Sequence, residues 1–143
     1  MKKTYQKLKL TFGLITSSIS IFLFLSFNSY WKNGISDQSA IIGLSNDYVN
    51  TENLLGGIGA EVSEFLIRIF GVSSYLLTLI TLLLAIKLLF GIKRIHLIKL
   101  SIQHMFWIMW ASLVLATMTK NTLSGKLGLT IFETLILLIG KTI

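Results

Sequence analysis

The chain has 143 residues, 53% of them hydrophobic and only 13% charged, a mean hydropathy of +0.76, and neither proline nor cysteine. Soluble domains carry roughly 25% charged residues, so a surface this poor in charge could not stay solvated, and without cysteine there is no disulfide framework, thiolate nucleophile or zinc–thiolate site. The net charge of +7 would suit nucleic acid, but the bases sit beside the apolar runs, which makes a lipid bilayer the expected partner.

Taken in order, the first uncharged run, LTFGLITSSISIFLFLSF at about 10–27, is long enough to cross a hydrocarbon core of about 30 Å. Tyr30 and Trp31 follow as interface anchors. A signal peptide is the competing reading, but no small-x-small cleavage site follows the run. Residues 28–58, rich in Asn, Ser, Gly and Asp, read as a solvated loop. The stretch 59–70 reads as an amphipathic interfacial helix, with Glu61, Glu64 and Arg68 on one side and Val62, Phe65, Leu66, Ile69 and Phe70 on the other. Gly71 breaks the pattern, and 72–90 forms a second span whose Lys87 can snorkel. A basic connection at 91–99 leads into a third span at about 100–118, and 127–143 is a further apolar helix carrying Glu133 and Lys141. The expected fold is all-α: a polytopic transmembrane helical domain of three to four spans with interfacial amphipathic helices.

The charges orient this arrangement. Lys2, Lys3, Lys7 and Lys9 precede the first span, and Lys93, Arg94 and Lys99 lie between the second and third, in both places without an acid. Asp37, Asp47, Glu52, Glu61 and Glu64 cluster between the first two spans against Lys32 alone. The positive-inside rule then puts the N-terminus and the basic connection in the cytoplasm and the acidic loop outside, with Lys120 and Lys126 running against the trend.

An internal echo appears at an offset of 69. Gly56, Gly59, Glu64 and Gly71 align with Gly125, Gly128, Glu133 and Gly140, giving the shared plan G-x-x-G-x4-E-x6-G. Gly57 belongs to the same glycine start. After Gly71 comes a full span, whereas only Lys141, Thr142 and Ile143 follow Gly140; either this tail crosses the membrane itself or the chain is a fragment whose last span lies beyond it.

No motif carries chemistry, and no catalytic residue, cofactor or metal is expected. Gly140-Lys141-Thr142 looks like the end of a phosphate-binding loop, but Leu135 stands where that loop needs a glycine. His104 has no acid at similar depth with which to relay protons. Glu64 and Arg68 form an i, i+4 pair that supports a helix. Gly13, Ser17, Ser18 and Ser20 mark a packing face for close helix approach. The basic connection suits anionic lipid better than nucleic acid, since no aromatic platform accompanies it.

GGIGA at 56–60, the amphipathic helix after it and FGVSSYLL at 70–77 resemble the N-terminal four-span membrane domain of the DNA translocase FtsK and its sporulation relative SpoIIIE. The order of tail, spans, loop and glycine starts is similar over nearly the whole chain. Asp37-Gln38-Ser39, after an aromatic-rich exit, looks like the versions found in Bacteroidetes-type bacteria; Thr78 departs from relatives that carry a proline there. The resemblance implies a membrane-anchoring and septum-recruitment domain of the bacterial inner membrane. It implies contacts with other cell-division membrane proteins and a homo-oligomer, hexameric in the full-length family. ATP hydrolysis and DNA contact would belong to a C-terminal motor absent from this chain, so the chain itself is no enzyme. The alternative is a stand-alone small inner-membrane adaptor of the envelope or divisome. A transporter would need midplane polar sites in both glycine segments, and these are missing.

Overall fold

A computed structural model of the chain describes residues 2–42, 51–92, 96–119 and 123–140. It is all-helical over the elements α1 (Lys2–Ile42), α2 (Gly56–Phe70), a 3₁₀ turn (Gly71–Ser74), α3 (Tyr75–Phe90), α4 (Leu97–Thr119) and α5 (Gly125–Gly140). Among the described residues, three helical segments are long and apolar enough to cross a membrane: Thr4–Gly34, the run Gly56–Phe90 and Leu97–Met118. Asp47, Lys93, Arg94, Lys120 and the Lys141-Thr142 pair lie outside the described residues.

The boundaries differ from the sequence reading in one instructive place. The loop expected from residue 28 begins with helix, because α1 continues to Ile42. Polar residues that read as loop-formers are satisfied without leaving the helix. Asn28 Nδ2 donates to the Phe24 carbonyl at 2.8 Å, Asn33 Nδ2 to the Glu52 carbonyl at 2.8 Å, and Ser29 Oγ accepts the Leu54 amide at 3.0 Å. No proline interrupts the run. The other starts shift by two or three residues: α2 begins at Gly56, α4 at Leu97 and α5 at Gly125.

Helix α3 runs antiparallel to α1. Tyr75 meets Phe27 with ring centroids 5.5 Å apart, Ser20 Oγ donates to the Thr78 carbonyl at 3.0 Å, and Gly13 abuts Leu88 and Leu89. Gly13 and Ser20 are thus on the packing face expected of them, Ser17 is half-buried, and Ser18 is exposed and bonds back to the Leu14 carbonyl. Thr78 supplies a carbonyl to the α1–α3 contact and bonds back to the Tyr75 carbonyl at 2.6 Å.

Helix α2 connects the two sides of the bundle. Near its start Gly59 lies under Ser26 of α1, whose hydroxyl donates to the Gly59 carbonyl. Near its end the Phe70 carbonyl accepts from Ser112 of α4 at 3.0 Å. The buried face of α2 is not the greasy one. Ala60, Ser63 and Ile67 are buried, whereas Phe65 is 62% exposed. Lipid tails are as apolar as leucine, so a helix in a membrane gains by packing its small residues and turning its large ones outward.

Candidate functional site

The place where α2, α4 and α5 meet is built from glycine and serine. Gly71 ends α2 with φ +63° and ψ −144°, a region of backbone space nearly closed to side-chain-bearing residues. This lets the chain bend into the 3₁₀ turn and bring its backbone against the segment leading into α5. The Val72 amide donates to the Leu123 carbonyl at 2.9 Å. A Cβ on Gly71 would sit 2.0 Å from the Leu123 oxygen, and one on Gly125, itself at φ +68°, would sit 2.4 Å from both the Gly71 nitrogen and the Ile69 oxygen. The two glycines that open one glycine segment and close the other are in mutual backbone contact.

Hydroxyls fill the remaining polar valences. Ser112 Oγ lies 3.1 Å from Ser73 Oγ as well as on the Phe70 carbonyl, and Ser74 Oγ donates to the Leu66 carbonyl at 2.9 Å. Gly128, one turn into α5, admits the α4 backbone so closely that a Cβ there would lie 2.3 Å from the Ser112 oxygen. Ser73, Ser74, Ser112 and Ser124 are all buried. Where water is excluded an unmatched hydroxyl is costly, so each bond both satisfies a group and fixes a register.

A second contact of the same kind holds the other end of α2. Ser26 donates to the Gly59 carbonyl, Asn53 Nδ2 reaches the Ser26 carbonyl at 3.3 Å, and the Gly56 amide closes the start of the helix on the Asn53 carbonyl at 2.8 Å. A Cβ on Gly59 would meet Asn53 Oδ1 at 2.5 Å. The two glycine helices start alike, each at a positive-φ glycine, Gly56 or Gly125; three residues on, Gly59 offers its carbonyl to the Ser26 hydroxyl, and Gly128 packs against the Ser112 backbone.

The echo is realised at these starts and not at the acids or exits. Glu64 is half-buried, with Oε2 buried and Tyr30 of α1 hydrogen-bonded to its carboxylate; Glu133 is exposed on α5. Arg68 is exposed on α2 and close enough to Tyr30 to act electrostatically on its hydroxyl. Gly71 is buried in the junction, while a Cβ on Gly140 would meet nothing within 4 Å. Gly57, second residue of α2, is half-buried. The buried serines 26, 29, 63, 73, 74, 112 and 124 were missed in the sequence; the available signal was their position in or beside apolar runs, where a hydroxyl needs a partner. His104 Nδ1 lies 2.9 Å from the Leu100 carbonyl on its own helix. Among the described residues no three His, Asp or Glu side chains gather as metal ligands.

A family model for the 4TM region of the DNA translocase FtsK/SpoIIIE matches residues 6–142. The chain belongs to this family. No curated protein and no solved structure gives a match. The FtsK/SpoIIIE 4TM region is a membrane anchor rather than the ATPase motor. Positive-φ glycines, close backbone approach and interhelical hydroxyl bonds hold its helices in fixed relation.

Proposed function

We propose that the chain is the membrane-anchoring and septum-recruitment domain of an FtsK-like cell-division DNA translocase, acting by position and by mechanical coupling. The observation that carries this reading is the match of the FtsK/SpoIIIE 4TM family over residues 6–142, which agrees with three helical segments able to span a bilayer. In this reading the N-terminus faces the cytoplasm of a bacterial inner membrane, the Glu-bearing start of α2 lies on the outer side, and α2 rests near that interface. The anchor associates with further copies of itself, as a hexamer in the full-length protein, and with other division proteins; ATP hydrolysis and DNA contact belong to a motor outside these residues. The test is a fluorescent fusion of the 143 residues in dividing bacterial cells. A midcell band supports recruitment by the anchor alone. A uniform peripheral signal would overturn recruitment while leaving anchoring intact.

A further inference from the structure

At the end of the bundle away from the glycine junction, the first turns of α4 and the residue before them carry two neighbouring rows. His96, Lys99 and Gln103 form a polar row, and Ile98, Ile102 and Phe106 an apolar one, each at the three- and four-residue spacing that keeps side chains on one side of a helix. Together they line an open depression of about 810 Å³. The apolar row is turned away from the protein, with Ile98 79% and Ile102 66% exposed, so in a spanning helix it faces acyl chains.

The charge at this depression is the Lys99 ammonium of α4, with His96 beside it. Lys7 and Lys9 in the first turns of α1 and Lys87 in the last turn of α3 are on helices that contribute nothing to its lining. The ends of α1 and α3 meet each other, since a Cβ on Gly91 would lie 3.3 Å from Lys9 Nζ. Acids among the described side chains lie elsewhere. Glu52, Glu61 and Glu64 are around α2, and Glu133 is on α5, whose groove partners on α4 are Leu113 and Thr117 toward that helix's far end.

We propose that this depression binds one anionic phospholipid, its phosphate held by Lys99 with His96 and one acyl chain lying along Ile98, Ile102 and Phe106. A cation beside an apolar wall matches the two parts of such a lipid. The proposal rests on α4 spanning a bilayer; it is independent of septal recruitment.

The test is native mass spectrometry of the full chain released from detergent micelles containing equimolar phosphatidylglycerol and phosphatidylcholine with matched chains. Phosphatidylglycerol is retained preferentially. Lys99→Gln lowers its retention about fivefold, the worth of one lysine at an anionic surface, without changing that of phosphatidylcholine, and Lys99→Arg restores it. Millimolar glycerol 3-phosphate leaves the bound lipid in place. Equal retention of the two lipids, or unchanged retention in Lys99→Gln, would overturn the site. Displacement by glycerol 3-phosphate would overturn the lipid assignment, showing that phosphate alone is recognised. A chain that stays soluble without detergent would instead reject the spanning reading beneath it.

Discussion

Replacing Gly71 by alanine tests the junction most directly, because two independent costs fall on one methyl group. The backbone at φ +63°, ψ −144° disfavours any side chain by about 1–3 kcal/mol. The new Cβ would also lie 2.0 Å from the Leu123 oxygen and 2.6 Å from the Gly125 nitrogen, so backbone rather than a side-chain tip must move. Relieving that contact breaks the Val72–Leu123 hydrogen bond of 2.9 Å, and overpacking plus a lost buried bond together add at least about 2 kcal/mol. The expected loss is therefore about 3 kcal/mol or more, which lowers the melting temperature by about 6–12 °C at the 2–4 °C per kcal/mol of domains this size.

Three companion substitutions separate the two costs. Gly91→Ala carries the backbone cost alone, since Gly91 has φ +68° and its Cβ would come no nearer than 3.3 Å to the flexible Lys9 ammonium; it should lose about 1–2 kcal/mol. Gly128→Ala carries the close approach alone, 2.3 Å to the Ser112 oxygen on an ordinary helical backbone. Gly13→Ala meets leucine side chains rather than backbone, Leu89 Cδ2 at 2.8 Å and Leu88 Cβ at 3.2 Å, and should cost less than Gly128→Ala, part of the crowding being offset by alanine's helix propensity. Thermal unfolding of the four variants in one detergent, followed by circular dichroism, gives the ranking. Should Gly71→Ala melt within about 2 °C of Gly91→Ala, the claim that backbone contact locks the junction fails.

Other outcomes follow from the same geometry. Ser112→Ala and Ser73→Ala should each cost about 0.6–1.7 kcal/mol, and the double variant less than their sum because they share the 3.1 Å contact; additive losses in a double-mutant cycle would deny that contact. Gly140→Ala should leave the melting temperature unchanged, given open space around its Cβ position. A topology reporter joined after residue 45 should report the extracytoplasmic side and one after residue 95 the cytoplasm; the opposite pattern would reverse the orientation read from the lysines.

The apolar runs, their glycine punctuation and the shared starts of α2 and α5 were legible because each depends on local chemistry: length against bilayer thickness, and positive φ against side-chain bulk. What escaped was set by contacts distant in the chain. Nothing local tells Asn33 that the Glu52 carbonyl will accept its amide, so 28–42 read as loop when it is helix. Nothing local tells Ser112 that Phe70 and Ser73 will face it. The Glu64–Glu133 correspondence looked equivalent at the level of spacing and is not, because α1 supplies Tyr30 to Glu64 while Glu133 is exposed.

The inside-out distribution of side-chain size yields a last prediction, opposite in sign to the rule for proteins in water. Apart from Phe27, the largest fully buried side chains are serines, while leucine, isoleucine and phenylalanine crowd the exterior. In water that arrangement would forfeit the main driving force of folding. In lipid nothing is gained by moving a leucine from acyl chains into a protein, so close backbone approach and hydroxyl bonds are left to hold the helices together. Truncating an outer residue, Phe65→Ala at a position 62% exposed, should then change stability by less than about 0.5 kcal/mol, as surface substitutions do. Enlarging an inner one, Ala60→Leu at a position 1% exposed, should cost about 1–3 kcal/mol or more by overpacking α2. If Phe65→Ala proves the more damaging of the two in detergent unfolding, burial of large apolar surface and not small-residue packing stabilises this anchor.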